Sequence, residues 1–441
     1  MNPDPAGAGR PGRPGSAPID SVHNGSVTEL TAADIDAAAT NLADVVRRTP
    51  LQANARLSEL AGGSVLIKRE DLQPVRSYKL RGAYNMISQL SAEETRLGVV
   101  AASAGNHGQG VAYACARLKI KARIFVPTTT PRQKRDRMIK LGGEYITLVV
   151  TGETYDQASK AAKLDAAESG AVLVPAFDDP RVIAGQGTVA GEIVYQLGKA
   201  PDVLLVPVGG GGLLAGCLTW FRANYPATRV IGIEPAGAAC LQAAITAGHP
   251  VELDDIDTFV DGAAVSRAGD EPYQLVAAHG VELISVPEGQ VCHEMLDLYQ
   301  VDGIIAEPAG ALALAALGRQ VRLNPGQTAV AILSGGNNDV SRYAEIVERA
   351  LIWEGRKHYF LVSFPQEPGA LRRFLDEVLG PDDDVTLFEY VKRDNREIGP
   401  ALIGLELGNP AELRALMERM ERSNLQAEKI DPNSPMYRFL I

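Results

Sequence analysis

From residue 31 onward the chain alternates between two patterns. Short runs of consecutive apolar residues predict strands buried on both faces: "SVLIK", "GVVAASAG", "ARIFVP", "YITLVV", "AVLVPAF", "VLLVPVGGGG", "RVIGIEP", "VELISVP" and "TAVAILSGG". Each is followed by a stretch with helical spacing of its apolar positions, such as "HGQGVAYACARLK" or "TPRQKRDRMIKLGG". Strand-then-helix repeated in this way predicts an α/β architecture of parallel sheets covered by helices. Several strands run into glycine-rich turns, where open α/β sheets hold their ligands.

Around "VERALIWEGRKHYF" the pattern changes. A strand ("HYFLVSF"), a turn ("PQEPG"), a helix ("ALRRFLDEVLG"), two strands ("VTLFEYVKR", "ALIGLELG") and a helix ("PAELRALMERMERSN") follow, then a short tail. This βαββα order over about 85 residues suits a small ferredoxin-like α+β domain. The expected organisation is a tail at 1–30, an α/β part at 31–350 and the C-terminal domain at 356–441. The opening "MNPDPAGAGRPGRPGSAPIDSVHNGS" is rich in Pro, Gly, Ala and Ser and lacks the apolar centre of a signal peptide, so it reads as a disordered tail.

Composition adds exclusions. Hydrophobic residues make up 46% and charged residues 22%, as in an ordinary soluble globular protein. A net charge of −11 weighs against nucleic acid or an anionic membrane as partner through a general basic surface. No uninterrupted apolar run is long enough for a transmembrane helix. Cys115, Cys217, Cys240 and Cys292 are widely spaced, without a CxxC pair, and read as free thiols of a reducing cytoplasm.

Four places carry candidate chemistry. In "QPVRSYKLRGAYN", Lys79 opens an apolar-periodic helix, with Ser77 as the expected N-cap. A cation suits a helix start poorly, because the dipole there favours anions. On its own Lys79 remains a surface lysine or a chemical amine. In "VLLVPVGGGGLLAG" a buried strand meets Gly209, Gly210, Gly211 and Gly212, and a helix begins near Leu213. Amides without Cβ atoms can converge there on an anion. A flexible turn is the plain alternative. The dinucleotide pattern is not kept, since position 214 is Leu, although Glu234 lies at a compatible distance. A Walker ending is missing, so a single phosphate fits best. In "ASAGNHGQG", Ser103, Ala104, Gly105, Asn106 and His107 form a strand-to-helix turn able to hold a carboxylate on its amides. His107 alone reads as structural. In "AILSGGNNDVS", Ser334 ends a further strand. Together these supply an amine, a phosphate cradle, an amide and a hydroxyl, the groups that pyridoxal phosphate requires.

With these residues in view, the chain resembles the tryptophan-synthase-β-type (fold type II) pyridoxal phosphate enzymes, and within them the biosynthetic threonine dehydratases. "KREDLQPVRSYKLRGAYN", "SAGNHGQG", "VPVGGGGL", "FVDGAAV", "EPAGA" and "LSGGNND" follow the family pattern in order. Tyr78 stands where the commonest family form has phenylalanine. The resemblance implies a two-lobed catalytic part with parallel sheets and a single C-terminal ACT-like domain. It implies Lys79 as the Schiff-base lysine and general base, Asn106 as partner of the pyridine 3′-oxygen, and Gly209 to Leu213 as the phosphate loop. Ser334 becomes the partner of the ring nitrogen, and the turn from Ser103 to His107 the holder of the substrate carboxylate. The implied reaction is deamination of L-threonine to 2-oxobutanoate and ammonia, the first step towards isoleucine. Isoleucine as inhibitor and valine as opposing effector at the C-terminal domain, a homotetramer and a cytoplasmic location are further implications. The metal-binding serine racemase branch has an acidic residue six positions after the glutamate of its "EP" turn. Here Cys240 stands six after Glu234, so no metal of that kind is expected. The alternatives are a serine dehydratase, racemase or sulfhydrylase on the same fold, or an amino-acid sensor without catalysis.

Overall fold

All nine apolar runs fold as strands in the computed structural model, which describes residues 30–390, 398–423, 425–431, 434, 436, 437 and 440. The N-terminal stretch read as a disordered tail lies, up to residue 29, outside the described residues. In chain order the strands are β1 (Leu51–Ala53), β2 (Ser64–Arg69), β3 (Val99–Ala102), β4 (Ala122–Val126), β5 (Ile146–Val150), β6 (Val172–Leu173) and β7 (Val203–Pro207). They continue as β8 (Arg229–Pro235), β9 (Glu282–Val286), β10 (Thr328–Leu333), β11 (Lys357–Pro365), β12 (Asp384–Tyr390), β13 (Ile398–Glu406) and β14 (Gln426–Lys429).

Three sheets result. A six-stranded sheet has the order β1-β2-β10-β7-β8-β9, and a four-stranded sheet the order β5-β4-β3-β6. Both are parallel except for β1, which pairs antiparallel with β2 at the edge. Strands β7 and β10 are buried along their whole length, which is why their sequences are uninterruptedly apolar. The chain thus begins the large sheet, leaves it after β2 to build the small one, and returns at β7. Lys79, the Ser103–His107 turn, the glycine loop and Ser334 all follow strands, and the two sheets turn these carboxyl ends towards a common cleft.

The helix Pro180–Leu197 is the spine between the two lobes. One face of it meets the helix Lys79–Ile87 and the other meets the helix Gly212–Asn224. Contact with the second is backbone to backbone: a Cβ on Gly187 would lie 2.9 Å from the carbonyl carbon of Gly216. The C-terminal sheet is antiparallel with order β12-β13-β11-β14, and its core gathers Phe360, Val362, Phe364, Phe374, Ile403 and Leu416. The tail expected after the last helix contains β14, which pairs with β11 and completes a βαββαβ order. Among the described residues no helix is long and apolar enough to cross a membrane.

Candidate active site

Lys79 is the first residue of its helix, and the residue before it, Tyr78, is already in helical conformation without a capping side chain. The expected cap, Ser77, does not serve. It forms an isolated bridge with Gly335, and its hydroxyl is buried without a partner. The helix start is held by Tyr78 N–H, which donates to Ser334 O at 3.1 Å, so strand-end geometry replaces capping. Lys79 Nζ donates to Ala176 O at 3.2 Å and lies 5.2 Å from the centre of the Tyr78 ring.

The amine opens into a cleft of about 760 Å³. Its walls include Ser103, Ala104, Gly105, Asn106 and His107 from one side and Gly209, Gly210, Gly211, Gly212 and Leu213 from the other. Ser334 does not line it. Only 3% exposed, it lies beneath the surface, its Oγ donating to Ala309 O at 3.0 Å.

The glycine loop has the properties of an anion cradle. Among the described residues, the amides of Gly209, Gly210 and Gly211 donate no hydrogen bond within the chain. Gly211 has φ 94°, a conformation that lets successive amides converge and that a side chain would oppose. The loop has no room for a Cβ behind it: one on Gly210 would come within 2.5 Å of the Phe177 ring. The helix Gly212–Asn224 adds its positive end.

On the opposite wall, Asn106 is gripped at both ends. Its Nδ2 donates to Glu307 Oε1 at 2.5 Å, and its Oδ1 accepts from Asn337 Nδ2 at 2.7 Å. Burial pushes the Glu307 carboxyl up to about 7, with Asp261 adding to the effect while the bond from Asn106 works against it. Burial also lowers His107, to about 4, with Lys79 contributing, so its ring is neutral. His107 Nε2 is 2.9 Å from Val174 O, which assigns the hydrogen to Nε2 and ties the ring to the small sheet. Glu234 is also raised, to about 7, by burial, and its carboxylate accepts from the amides of Leu241 and Gln242.

Glu307, Asn337 and Phe177 were not singled out by sequence reasoning. Glu307 stands in "EPAGA" and Asn337 in "LSGGNND", both within quoted motifs, so the motifs were the available signal. Nothing in the sequence marks Phe177.

The profile of one family, described as pyridoxal-phosphate dependent enzyme, matches residues 42–335. A second, the C-terminal regulatory domain of threonine dehydratase, matches residues 348–440. The biosynthetic L-threonine dehydratase of Mycobacterium tuberculosis is 58% identical over 414 residues, covering 93% of this chain and 96% of that protein. That of Bacillus subtilis is 50% identical over 402 residues, covering 91% and 95%. Among solved structures, the processed form of threonine deaminase isoform 2 from Solanum lycopersicum matches with a TM-score of 0.68 at 41% identity. The match covers 72% of this chain and 92% of that one.

Proposed function

As the chain belongs to the pyridoxal-phosphate dependent enzymes, and among them to the threonine dehydratases, we infer that this cleft is where L-threonine becomes 2-oxobutanoate and ammonia. The enzyme is a pyridoxal-phosphate-dependent lyase. The observation that carries the assignment of residues is the convergence of the Lys79 amine, three consecutive glycine amides that bond no atom of the described chain and a clamped asparagine on a single cleft. The cleft's other lysine, Lys134, is paired with Asp261.

The residues present fit the cofactor. The Gly209–Leu213 loop would hold its phosphate, Lys79 its aldehyde carbon, Asn106 its ring oxygen, and Ser334 its ring nitrogen. Bound there, pyridoxal phosphate supplies an electron-accepting ring that stabilises negative charge at the substrate's Cα. The turn from Ser103 to His107 offers amides at the start of the helix Asn106–Leu118 to the threonine carboxylate. Lys79 Nζ takes the proton from Cα and returns a proton to the β-hydroxyl, which leaves as water. Water then releases ammonia, so the sequence consumes no oxidant or reductant. Ser334 carries a neutral hydroxyl that would have to turn its hydrogen away from Ala309 O to meet the ring nitrogen. A hydroxyl holds that nitrogen protonated less firmly than a carboxylate would, which favours elimination over transamination.

The C-terminal domain is read as the isoleucine sensor, with valine opposing, in a cytoplasmic homotetramer; the match to a threonine dehydratase regulatory domain supports the sensing role. Borohydride reduction of the cofactor-loaded enzyme, followed by peptide mapping, tests the central assignment. The cofactor's mass is expected on the peptide containing Lys79, and Lys79→Ala is expected to lose turnover with an unchanged melting temperature. A label on another lysine would refute it.

A further inference from the structure

Glu307 has no part in the steps above, yet it is 5% exposed and sits in the cleft wall beside Asn106. A buried carboxylate needs partners, and here they are specific. Oε1 accepts from Asn106 Nδ2, and Oε2 accepts from the backbone amide of Asn337 at 3.1 Å. The Asn337 side chain closes the ring, its Nδ2 donating both to Asn106 Oδ1 and to Val75 O at 2.8 Å. Every contact on the Asn106 amide therefore distinguishes its nitrogen from its oxygen. A flipped amide would set Oδ1 against the carboxylate and Nδ2 against another NH₂ group, losing both bonds at once.

The surrounding backbone is built around this carboxylate. Glu307 N–H donates to Gly335 O at 3.2 Å, and a methyl group at Gly335 would overlap Glu307 Oε1. A Cβ on Gly310 would in turn run into Gly335 O. The glycine at 335 thus admits the carboxylate to a place from which it can reach Asn106.

We propose that Glu307, assisted by Asn337, is the positioning residue that fixes the orientation of the Asn106 amide, so that the second Nδ2 hydrogen is directed at the cofactor's ring oxygen. The inference rests on the reading of Asn106 as the partner of that oxygen. It differs from a helix-capping role: Glu307 stands just before the helix Pro308–Ala315, yet its side chain makes no hydrogen bond to that helix's first amides and turns to Asn106 and Asn337 instead.

A double-mutant cycle separates the possibilities. Pyridoxal phosphate is titrated into the stripped full-length protein, and its dissociation constant is measured for wild type, Asn106→Ala, Glu307→Gln and the pair. Glutamine has the shape of glutamate but must turn an NH₂ group towards one of the two donors. Each single variant is expected to weaken binding roughly tenfold, the scale of one buried hydrogen bond, and the pair no more than the weaker single. Glu307→Gln is also expected to shift the visible absorption maximum of the loaded enzyme in the same direction as Asn106→Ala. Effects that multiply, or an unchanged constant in Glu307→Gln beside a weakened Asn106→Ala, overturn the proposal. An unchanged constant in Asn106→Ala overturns the assignment of Asn106 itself. Should Glu307→Gln fail to fold, Asn337→Ala paired with Asn106→Ala supplies the same cycle: non-additive losses support the proposal and multiplying losses overturn it.

Discussion

Arg81, two positions after Lys79, is wholly buried, and so are its neighbours Glu70 and Lys68. Its guanidinium donates to both oxygens of Glu70, at 2.8 and 2.9 Å, and to Glu192, which also takes Lys68 Nζ at 2.8 Å. Two cations thus balance two carboxylates under the helix that carries Lys79. Burial pushes the Glu70 carboxyl up, but Arg81 and Lys68 outweigh it and hold it below the ordinary carboxylate value. A carboxylate lowered to about 2 adds stability that is present above the unfolded value of 4.5, begins to fade below it and is gone once pH has fallen through the folded value. Glu70→Gln leaves two cations facing one carboxylate and is expected to cost about 3–5 kcal/mol at neutral pH. Chemical denaturation at pH 7 and at pH 4 checks this: the difference between variant and wild type should shrink at the lower pH. At this scale the sequence reveals residues whose type conflicts with their setting, such as Lys79 at a helix start and four consecutive glycines after a strand. It conceals residues whose setting is made elsewhere. Glu307 before a proline reads as an ordinary helix start, and its partner Asn106 is 201 positions away. Arg81 and Glu70 read as surface charges until the helix Pro180–Leu197 closes over them.

The helix Pro180–Leu197 shows what an element can hide. Glycine inside a helix costs about 1 kcal/mol relative to alanine, so "AGQGTVAG" looks like a weakness. In the structure, Gly185 meets the backbone of Arg81 and Gly82, and Gly187 that of Gly216. Gly187→Ala should improve helix propensity yet destabilise the protein by about 1–3 kcal/mol, because its new methyl meets backbone that cannot rotate away. Moving the helix Gly212–Asn224 should also loosen the glycine loop, so cofactor affinity should fall with the melting temperature. Calorimetry and cofactor titration of the same variant test both. Continuous apolar runs marked the fully buried strands β7 and β10, and also β5, β6 and β9. These last three lie at sheet edges and are only partly buried, so for them the expected burial on both faces does not hold. The two that escaped, β1 and β14, are short edge strands: "LQA" and "QAEK" carry too few apolar positions to signal a pleat.

For the whole molecule, the joint between catalytic part and regulatory sheet decides what can be separated. The helix Tyr343–Trp353 leads into β11, and its last residue belongs to the catalytic side: Arg319 stacks on the Trp353 ring at 4.2 Å and His293 lies 5.3 Å from it. Beyond it Arg356 is paired to Glu406 of β13, while Tyr359 of β11 donates back to Glu348 of the same helix, so the helix is tied to both parts. A chain ending after Gly355 keeps the tryptophan in place and should retain threonine deamination while losing inhibition by isoleucine. Isoleucine titrations of the full and shortened enzymes check this, and an unchanged response would move the effector site into the catalytic lobes. The same helix grips the cleft from behind. Arg342 and Arg349 both lie over the Phe259 ring, at 4.7 and 4.5 Å, and Arg342 also donates to Phe259 O. Two and four residues further along that segment come Asp261 in the cleft wall and Ala263, against which Gly209 is packed. An 11-residue helix is a rod about 16 Å long. Pivoted at the Trp353 end through about 5°, its far tip would sweep roughly 1.4 Å, about the length of one covalent bond. A crank of that throw would be enough to spoil an anion's fit on the glycine loop, and is the travel a distant sheet would need to act on turnover without placing an atom near the substrate.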